Sequence, residues 1–386
     1  MKTSSSFAAA FVLAGLAQAQ PSAGAAFVPE GVKALRDLTY VENGHARQKL
    51  DLYMPERATN ALPVVIWIHG GGWKGGSKDG CPPLRQGFVQ RGYAVASVGY
   101  RLSGDAIFPA QIEDCKAAIR WLRAHAKEFG VDPDRFGVWG SSAGGHLVAL
   151  LGTSGDEKAF DVGANLDVSS RVQAVCDFFG PTDLLQMDSH ARPGAPFKHD
   201  DAASPEASLI GGPIQKNKAK ATRVNPITYV SINALPPFLI VHGDADPLVP
   251  HHQSELLYEA LKKAGGNVQF HTIQGAGHGQ GFGGGEITDR VNAFFDRWLK
   301  SAERPHAESS CTSSEAVGEA GTRPGPAGKD GAQKRRPTFE QVKAREDADG
   351  DGRVTREEFK GPQPMFPRLD RNGDGVLTSE DFAEKR

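Results

Sequence analysis

The sequence predicts an α/β domain, a mainly parallel sheet with helices on both faces, joined to a small α unit at the C-terminus. Three observations predict it. Between about residues 37 and 300, apolar strand-like runs alternate with segments whose apolar residues recur every three or four positions. One run, "LPVVIWIHG" (62–70), is almost continuously apolar and ends in glycine, the pattern of a strand buried on both faces. After Lys300 the composition changes to Ser, Gly, Pro, Ala and charge, and apolar residues return only near the end.

The elements follow in order. Lys2, an apolar run from Phe7 to Leu16 and the small-x-small triplet Ala17-Gln18-Ala19 read as a signal peptide over 1–19, the run being too short to span a bilayer. The mature chain is therefore expected to be secreted or periplasmic, with no membrane attachment after cleavage. Over 20–300, further strand patterns are "YAVASVGYRL", "RFGVWG", "VQAVCDFFG", "PPFLIVHGD" and "NVQFHTIQG". Between them, Ile112, Cys115, Ile119 and Leu122 mark one face of a helix that Pro109 opens and Gly130 ends. "PHHQSELLYEALKKAGG" and "ITDRVNAFFDRWLKSA" read as two more helices. The segment from Asp183 to Ala234 breaks the rhythm, being polar and rich in Pro, Gly, Ser and Lys. So long an irregular connection is expected to form one wall of a site. Residues 301–337 lack the apolar surface to fold and read as a flexible linker, with a second unit over 338–386.

Composition excludes several classes. A formal charge of −2 and 39% hydrophobic residues carry no bias toward nucleic acid. The four cysteines, Cys81, Cys115, Cys176 and Cys311, are widely spaced, without a C-x-x-C pair or a histidine at zinc spacing. Export permits disulfides; a Cys81 to Cys115 bridge is open and not deducible.

The chemistry starts at Gly140-Ser141-Ser142-Ala143-Gly144, a Gly-x-Ser-x-Gly pattern between a strand and a helix. Small residues on either side of a sharp strand-to-helix turn leave the central hydroxyl, that of Ser142, at its apex. A hydroxyl needs a general base, and the base an orienting acid. Asp246 in "HGDADPLVP" is the expected acid, with Asp244 read as a turn residue. His278, in the glycine-rich loop "QGAGHGQGF", is the expected base. His271 lies within a strand pattern, and His251 and His252 open a helix. "HGGGWKGG" follows the 62–70 strand, and the backbone N–H groups of Gly71 and Gly72, with that of Ala143, would stabilise an oxyanion. Trp73 is expected to line the substrate pocket, and His69 to brace the loop. The glycine run is not a phosphate loop, because Ser-Lys stands where Lys-Ser/Thr is needed.

Taken with "GYAVASVGYRLS", "FPAQIEDCKAAIRWLRAHA", "DFFGPTDL" and "PPFLIVHGDADPLVP", these motifs resemble the α/β-hydrolase superfamily over about residues 37–300. Within it they resemble the secreted bacterial feruloyl-esterase-like group related to hormone-sensitive lipase. The resemblance implies an α/β-hydrolase fold and hydrolysis of carboxylic esters through an acyl-enzyme, with no cofactor for catalysis. Feruloyl or acetyl groups on polysaccharide, or small esters, are the implied substrates. General carboxylesterase and formamidase activities stay open, as does a binding protein with a degenerate hydrolase domain.

The C-terminal unit carries a second motif. "DADGDGRVTREE" (347–358) fits the EF-hand calcium loop, with ligands Asp347, Asp349, Asp351, the Arg353 carbonyl and Glu358, and Gly352 at the sharp turn. "DRNGDGVLTSED" (370–381) repeats it with Asp370, Asn372, Asp374, the Val376 carbonyl and Asp381. The last aspartate is a methylene shorter than glutamate, so the second site is expected to be the weaker. Three prolines in "FKGPQPMFPRL" leave no room for two full helices between the loops. The paired loops are also similar to those of cellulosomal dockerins, and a stabilising or docking role fits them better than sensing. Extracellular modules of this kind bind calcium at roughly 0.1–1 mM.

Overall fold

The computed structural model describes residues 27–196, 198–231 and 235–300, and in the C-terminal part 339, 342–343, 353–356, 358–359, 366–370 and 375–378. The expected signal peptide, the 301–337 linker and Cys311 lie outside the described residues. The chain divides into two compact units, residues 1–307 and 308–386.

The first unit is built on eight strands: β1 (Val32–Thr39), β2 (Lys49–Pro55), β3 (Leu62–Ile68), β4 (Ala94–Val98), β5 (Val131–Ser141), β6 (Ala174–Phe178), β7 (Phe238–Gly243) and β8 (Val268–Ile273). Their order across the sheet is β1-β2-β4-β3-β5-β6-β7-β8. From β4 to β8 every pairing is parallel; β2 runs antiparallel to both β1 and β4. Its helices are α1 (Pro82–Arg85), α2 (Ala110–Ala124), α3 (Ala126–Phe129), α4 (Ala143–Thr153), α5 (Pro205–Ile210), α6 (Lys218–Val224), α7 (His252–Lys263) and α8 (Gly285–Phe295).

Both faces of the sheet are buried. Val64, Ile66 and Ile68 of β3 join one core with α2, α4 and α7, while Val65 and Trp67 point into the other, with α1 and α8. This two-sided burial is why the central strands read as unbroken apolar runs. It also separates Cys115, in the first core, from Cys81, in the second, so the bridge left open by the sequence does not form; Cys81, Cys115 and Cys176 are free and buried.

The structure adds two things that the sequence patterns did not show. β1 and β2 form an antiparallel hairpin ahead of the first expected strand, with a register shift between Leu35 and Leu38. β1 is an edge strand whose Lys33, Arg36 and Asp37 break the apolar pattern. The 183–234 segment is not irregular throughout. It is divided into α5, α6 and four short 3₁₀ turns, each too short for a 3.6-residue period to declare itself.

In the second unit Val354–Thr355 and Val376–Leu377 form a short antiparallel pair, Val376 opposite Thr355 and Leu377 opposite Val354. Val342, Val354, Phe359, Phe366 and Leu377 are buried together around it.

Candidate active site

The site forms at the C-terminal ends of the parallel strands. β5 turns sharply into α4 at Ser142, whose backbone sits at φ 55°, ψ −124°. The flanking glycines are required by contact: a Cβ on Gly144 would lie 2.1 Å from the Ile68 carbonyl oxygen, and one on Gly140 would lie 2.3 Å from that of Gly144. The Ser142 amide donates to the Phe178 carbonyl at 2.9 Å, and its carbonyl accepts from the His146 amide at 3.0 Å. The Ser142 backbone is therefore held from the sheet and from the helix.

Ser142 Oγ donates to His278 Nε2 at 3.1 Å, and His278 Nδ1 donates to Asp246 Oδ2 at 2.7 Å. The three side chains come from the β5–α4, β7–α7 and β8–α8 connections. Asp246 is only 2% exposed. Its Oδ1 accepts from the Leu248 and Val249 amides at 2.8 and 3.0 Å. Burial alone would raise its pKa, but hydrogen bonds from His242 and His278 outweigh that, hold the carboxyl well below the usual carboxylate range and keep it ionised.

His242 is a partner that sequence reasoning did not single out. Its Nε2 lies 3.3 Å from Asp246 Oδ2 and 3.1 Å from the Val249 carbonyl oxygen, two acceptors, so this nitrogen carries the hydrogen. Its Nδ1 accepts from the Ser254 hydroxyl at 2.7 Å. The signal was at hand in "VHGDAD", where a histidine at a buried strand end stands four residues before the acid.

The other candidates occupy the following positions. Asp244 Oδ1 accepts from the Gly275 amide at 2.6 Å and ties two loops together. His251 and His252 both pair with Glu255, and His271 lies 3.7 Å from Glu286. His69 is buried and stacked on Tyr100, with Nδ1 donating to the Gly70 carbonyl; burial pushes its pKa down to about 4, so it stays neutral.

After β3 the chain forms a tight loop in which Gly71 (φ 112°) and Gly72 (φ 57°) adopt backbone geometry that side chains resist. A Cβ on Gly71 would lie 2.5 Å from the Gly75 carbonyl oxygen. Among the described residues neither amide donates to a backbone acceptor. The Ala143 amide, first in its helix, has no intrahelical acceptor either. All three residues line one pocket of about 450 Å³ with Ser142 and His278. Trp73 belongs to the same lining but is only 1% exposed, its ring set edge-on against His146 at 5.1 Å. It is a wall of the pocket, not an open platform.

Phe179, Pro181, Leu248 and Val249 supply apolar lining, and Phe179 packs its ring 4.5 Å from that of His278. His199, Pro205 and Glu206 come from the 183–234 segment, the expected wall. A serine with a base in reach, an acid that fixes the base's tautomer and converging amides can move a proton off Oγ and stabilise a developing oxyanion.

In the C-terminal unit the described residues show part of the internal hydrogen bonding of each loop. Gly375 is at φ 83° and its amide donates to Asp370 Oδ2 at 2.9 Å, which closes the sharp turn. The Thr355 amide and hydroxyl both donate to Glu358 Oε2 at 2.8 Å. The short strand pair joins the eighth positions of the two loops, Val354 and Leu377. Asp347, Asp349, Asp351, Gly352, Asn372, Asp374 and Asp381 lie outside the described residues.

The BD-FAE family model matches residues 50–261, a TAP-like protein model matches 216–311, and an EF-hand model matches 347–361 and 363–384. The chain is 31% identical to a probable carboxylic ester hydrolase, LipM, of Mycobacterium tuberculosis, over 65% of this chain and 59% of that protein. It is 33% identical to esterase LipQ of the same organism, over 56% and 50%. The chain thus spans less than two thirds of the length of these relatives. A truncated carbohydrate esterase from gut microbiota superposes with a TM-score of 0.63 at 32% identity, covering 70% of this chain and 97% of that one. An acetyl ester-xyloside bifunctional hydrolase from Caldicellulosiruptor lactoaceticus superposes with a TM-score of 0.54 at 26% identity, over 64% and 87%. The sheet order, the Ser142 turn and a family match over more than half of the sequence agree: this chain belongs to the BD-FAE family of α/β hydrolases, with an EF-hand segment at its C-terminus.

Proposed function

We propose that this protein is an exported serine carboxylic ester hydrolase that removes feruloyl or acetyl groups from polysaccharide through an acyl-enzyme. The observation that carries this reading is the unbroken hydrogen-bonded series Ser142 Oγ, His278 and Asp246, opening into a pocket that the Gly71–Gly72 loop also lines. The relatives named as esterases support ester hydrolysis, and the carbohydrate and acetyl ester-xyloside hydrolases support a sugar-linked ester. The N-terminal apolar run and its Ala-Gln-Ala end support export.

In this mechanism His278 Nε2 takes the Ser142 proton as Oγ bonds to the ester carbonyl carbon. The carbonyl oxygen gains the electron pair and the Gly71, Gly72 and Ala143 amides hold it, each such donor being worth about 3 kcal/mol in the barrier. The intermediate collapses, the C–O bond to the alcohol breaks, and His278 gives the alcohol its proton. Water then repeats the cycle on the acyl-serine, with His278 as base, releasing the acid. Asp246 keeps Nδ1 protonated throughout and stabilises the imidazolium. In the C-terminal unit, the carboxylates and carbonyls of the two loops would hold calcium, which supplies structural cross-linking and takes no part in the ester chemistry.

The test is the initial rate of wild type and Ser142→Ala on p-nitrophenyl acetate, longer acyl esters, methyl ferulate, acetylated xylan and N-formylkynurenine. Serine-dependent preference for ferulate or acetylated xylan is the expected result. Preference for simple acyl esters or for the formamide would move the protein to another hydrolase class.

A further inference from the structure

The pocket has one carboxylate that the hydrolytic steps above do not use. Glu206 stands at the start of α5, 4% exposed, and its Oε1 accepts from His199 Nδ1 at 2.9 Å. His199 is 2% exposed and also lines the pocket. The second oxygen of Glu206, Oε2, is buried and has no hydrogen-bond partner among the described residues. A buried carboxylate oxygen without a donor is a costly arrangement, and its residue lines the pocket in which an ester must bind.

The position is built, not incidental. Ser204 caps α5 by accepting from the Ala207 amide at 2.9 Å, and Pro205 holds the first turn. The His199 and Asp200 amides donate to the two oxygens of Asp188 at 2.8 and 3.0 Å, which fixes the chain that carries the histidine. A Cβ on Gly72 would lie 3.3 Å from Pro205 Cβ, so α5 packs directly on the oxyanion loop. Phe179, Pro181, Leu248 and Val249 give an alkyl chain or an aromatic ring somewhere to lie, but none of them offers a side-chain donor to Oε2.

We propose that Glu206 Oε2, oriented by His199, accepts a hydrogen bond from a hydroxyl group of the ester substrate and so selects hydroxyl-bearing esters over plain alkyl or aryl ones. The inference rests on the ester-hydrolase reading above and deepens it. A sugar alcohol brings hydroxyls beside the scissile bond; a phenolic acyl group brings one at its far end. Both present the same chemistry to a carboxylate.

Two matched pairs distinguish the sources: a monoacetate of methyl xyloside against cyclohexyl acetate, and methyl ferulate against its phenolic methyl ether. For each pair the readout is the ratio of kcat/KM, hydroxyl-bearing over hydroxyl-free, in the full-length wild type, Glu206→Gln and Glu206→Ala. In the glutamine variant the His199 N–H holds the amide oxygen, which turns an NH₂ donor toward the pocket. That ratio is expected to fall by about tenfold to a hundredfold in at least one pair, the size of a lost hydrogen bond to a charged group. The pair that responds identifies the hydroxyl. A loss shared equally within each pair, leaving the ratios intact, would mark Glu206 as structural and overturn the inference, and melting temperatures would show it. A high wild-type ratio that survives in both variants would overturn the inference alone. Wild-type ratios near one in both pairs would overturn the polysaccharide-ester reading and this inference with it.

Discussion

Replacing Asp246 by Asn exchanges one oxygen for NH₂, and the structure fixes which one. Oδ1 accepts from two backbone amides, Leu248 at 2.8 Å and Val249 at 3.0 Å, so the amide oxygen of Asn must remain there. The new NH₂ then takes the place of Oδ2, 2.7 Å from His278 Nδ1 and 3.3 Å from His242 Nε2. His242 cannot yield, because its Nε2 hydrogen also faces the Val249 carbonyl. His278 therefore changes tautomer, places its hydrogen on Nε2 facing Ser142 Oγ, and loses the lone pair that takes the proton. A wrong tautomer in a serine-histidine-acid site costs about 10⁴ in kcat, about 5.5 kcal/mol in the barrier. The assay is kcat on p-nitrophenyl butyrate at neutral pH, with circular dichroism to show that the fold persists. Asp246→Ala removes the acceptor without introducing a donor, so it is expected to lose less than Asp246→Asn. An Asn variant within about tenfold of wild type would refute the tautomer argument.

Three other outcomes are expected. Ser142→Gly should abolish turnover yet melt above Ser142→Ala: relief of a φ of 55° is worth about 1–3 kcal/mol, less up to 1 kcal/mol for the entropy of glycine, which a thermal scan resolves. Asp177 is fully buried, and burial raises its carboxyl to about 7 against an opposing hydrogen bond from the Gly180 amide. The folded state then keeps a proton that the unfolded chain releases near pH 4, so stability falls as pH rises from about 4 to about 7; Asp177→Asn should flatten that decline in calorimetry. Calcium chelation should abolish the cooperative transition of the C-terminal unit in calorimetry while ester turnover stays within about twofold, because in the proposed mechanism the ion would be held by the loops and would take no part at the serine.

Much of this was legible in the sequence because its chemistry tolerates few substitutes. The glycines about Ser142 are needed where a Cβ would strike a backbone oxygen at 2.1 Å, and such constraints leave short, readable motifs. The central strands were legible because both faces are buried. The β1–β2 hairpin was not, since a half-exposed edge strand mixes Lys, Arg and Asp into its pattern. The His199–Glu206 pair could not be read either. It joins two residues of a polar segment whose short turns have no period, and only folding sets them against the serine, which is far away in sequence. His242 was passed over for another reason: it stands at the end of an apolar strand, where a histidine reads as core unless its spacing to the acid is weighed.

The division of labour around the pocket has an engineering consequence. The reacting groups stand on three loops at strand ends, whereas the polar wall belongs to one contiguous insertion between β6 and β7. Exchanging that insertion between homologous scaffolds would transplant substrate preference as a cassette, leaving the hydrolytic hardware and its proton relay in place.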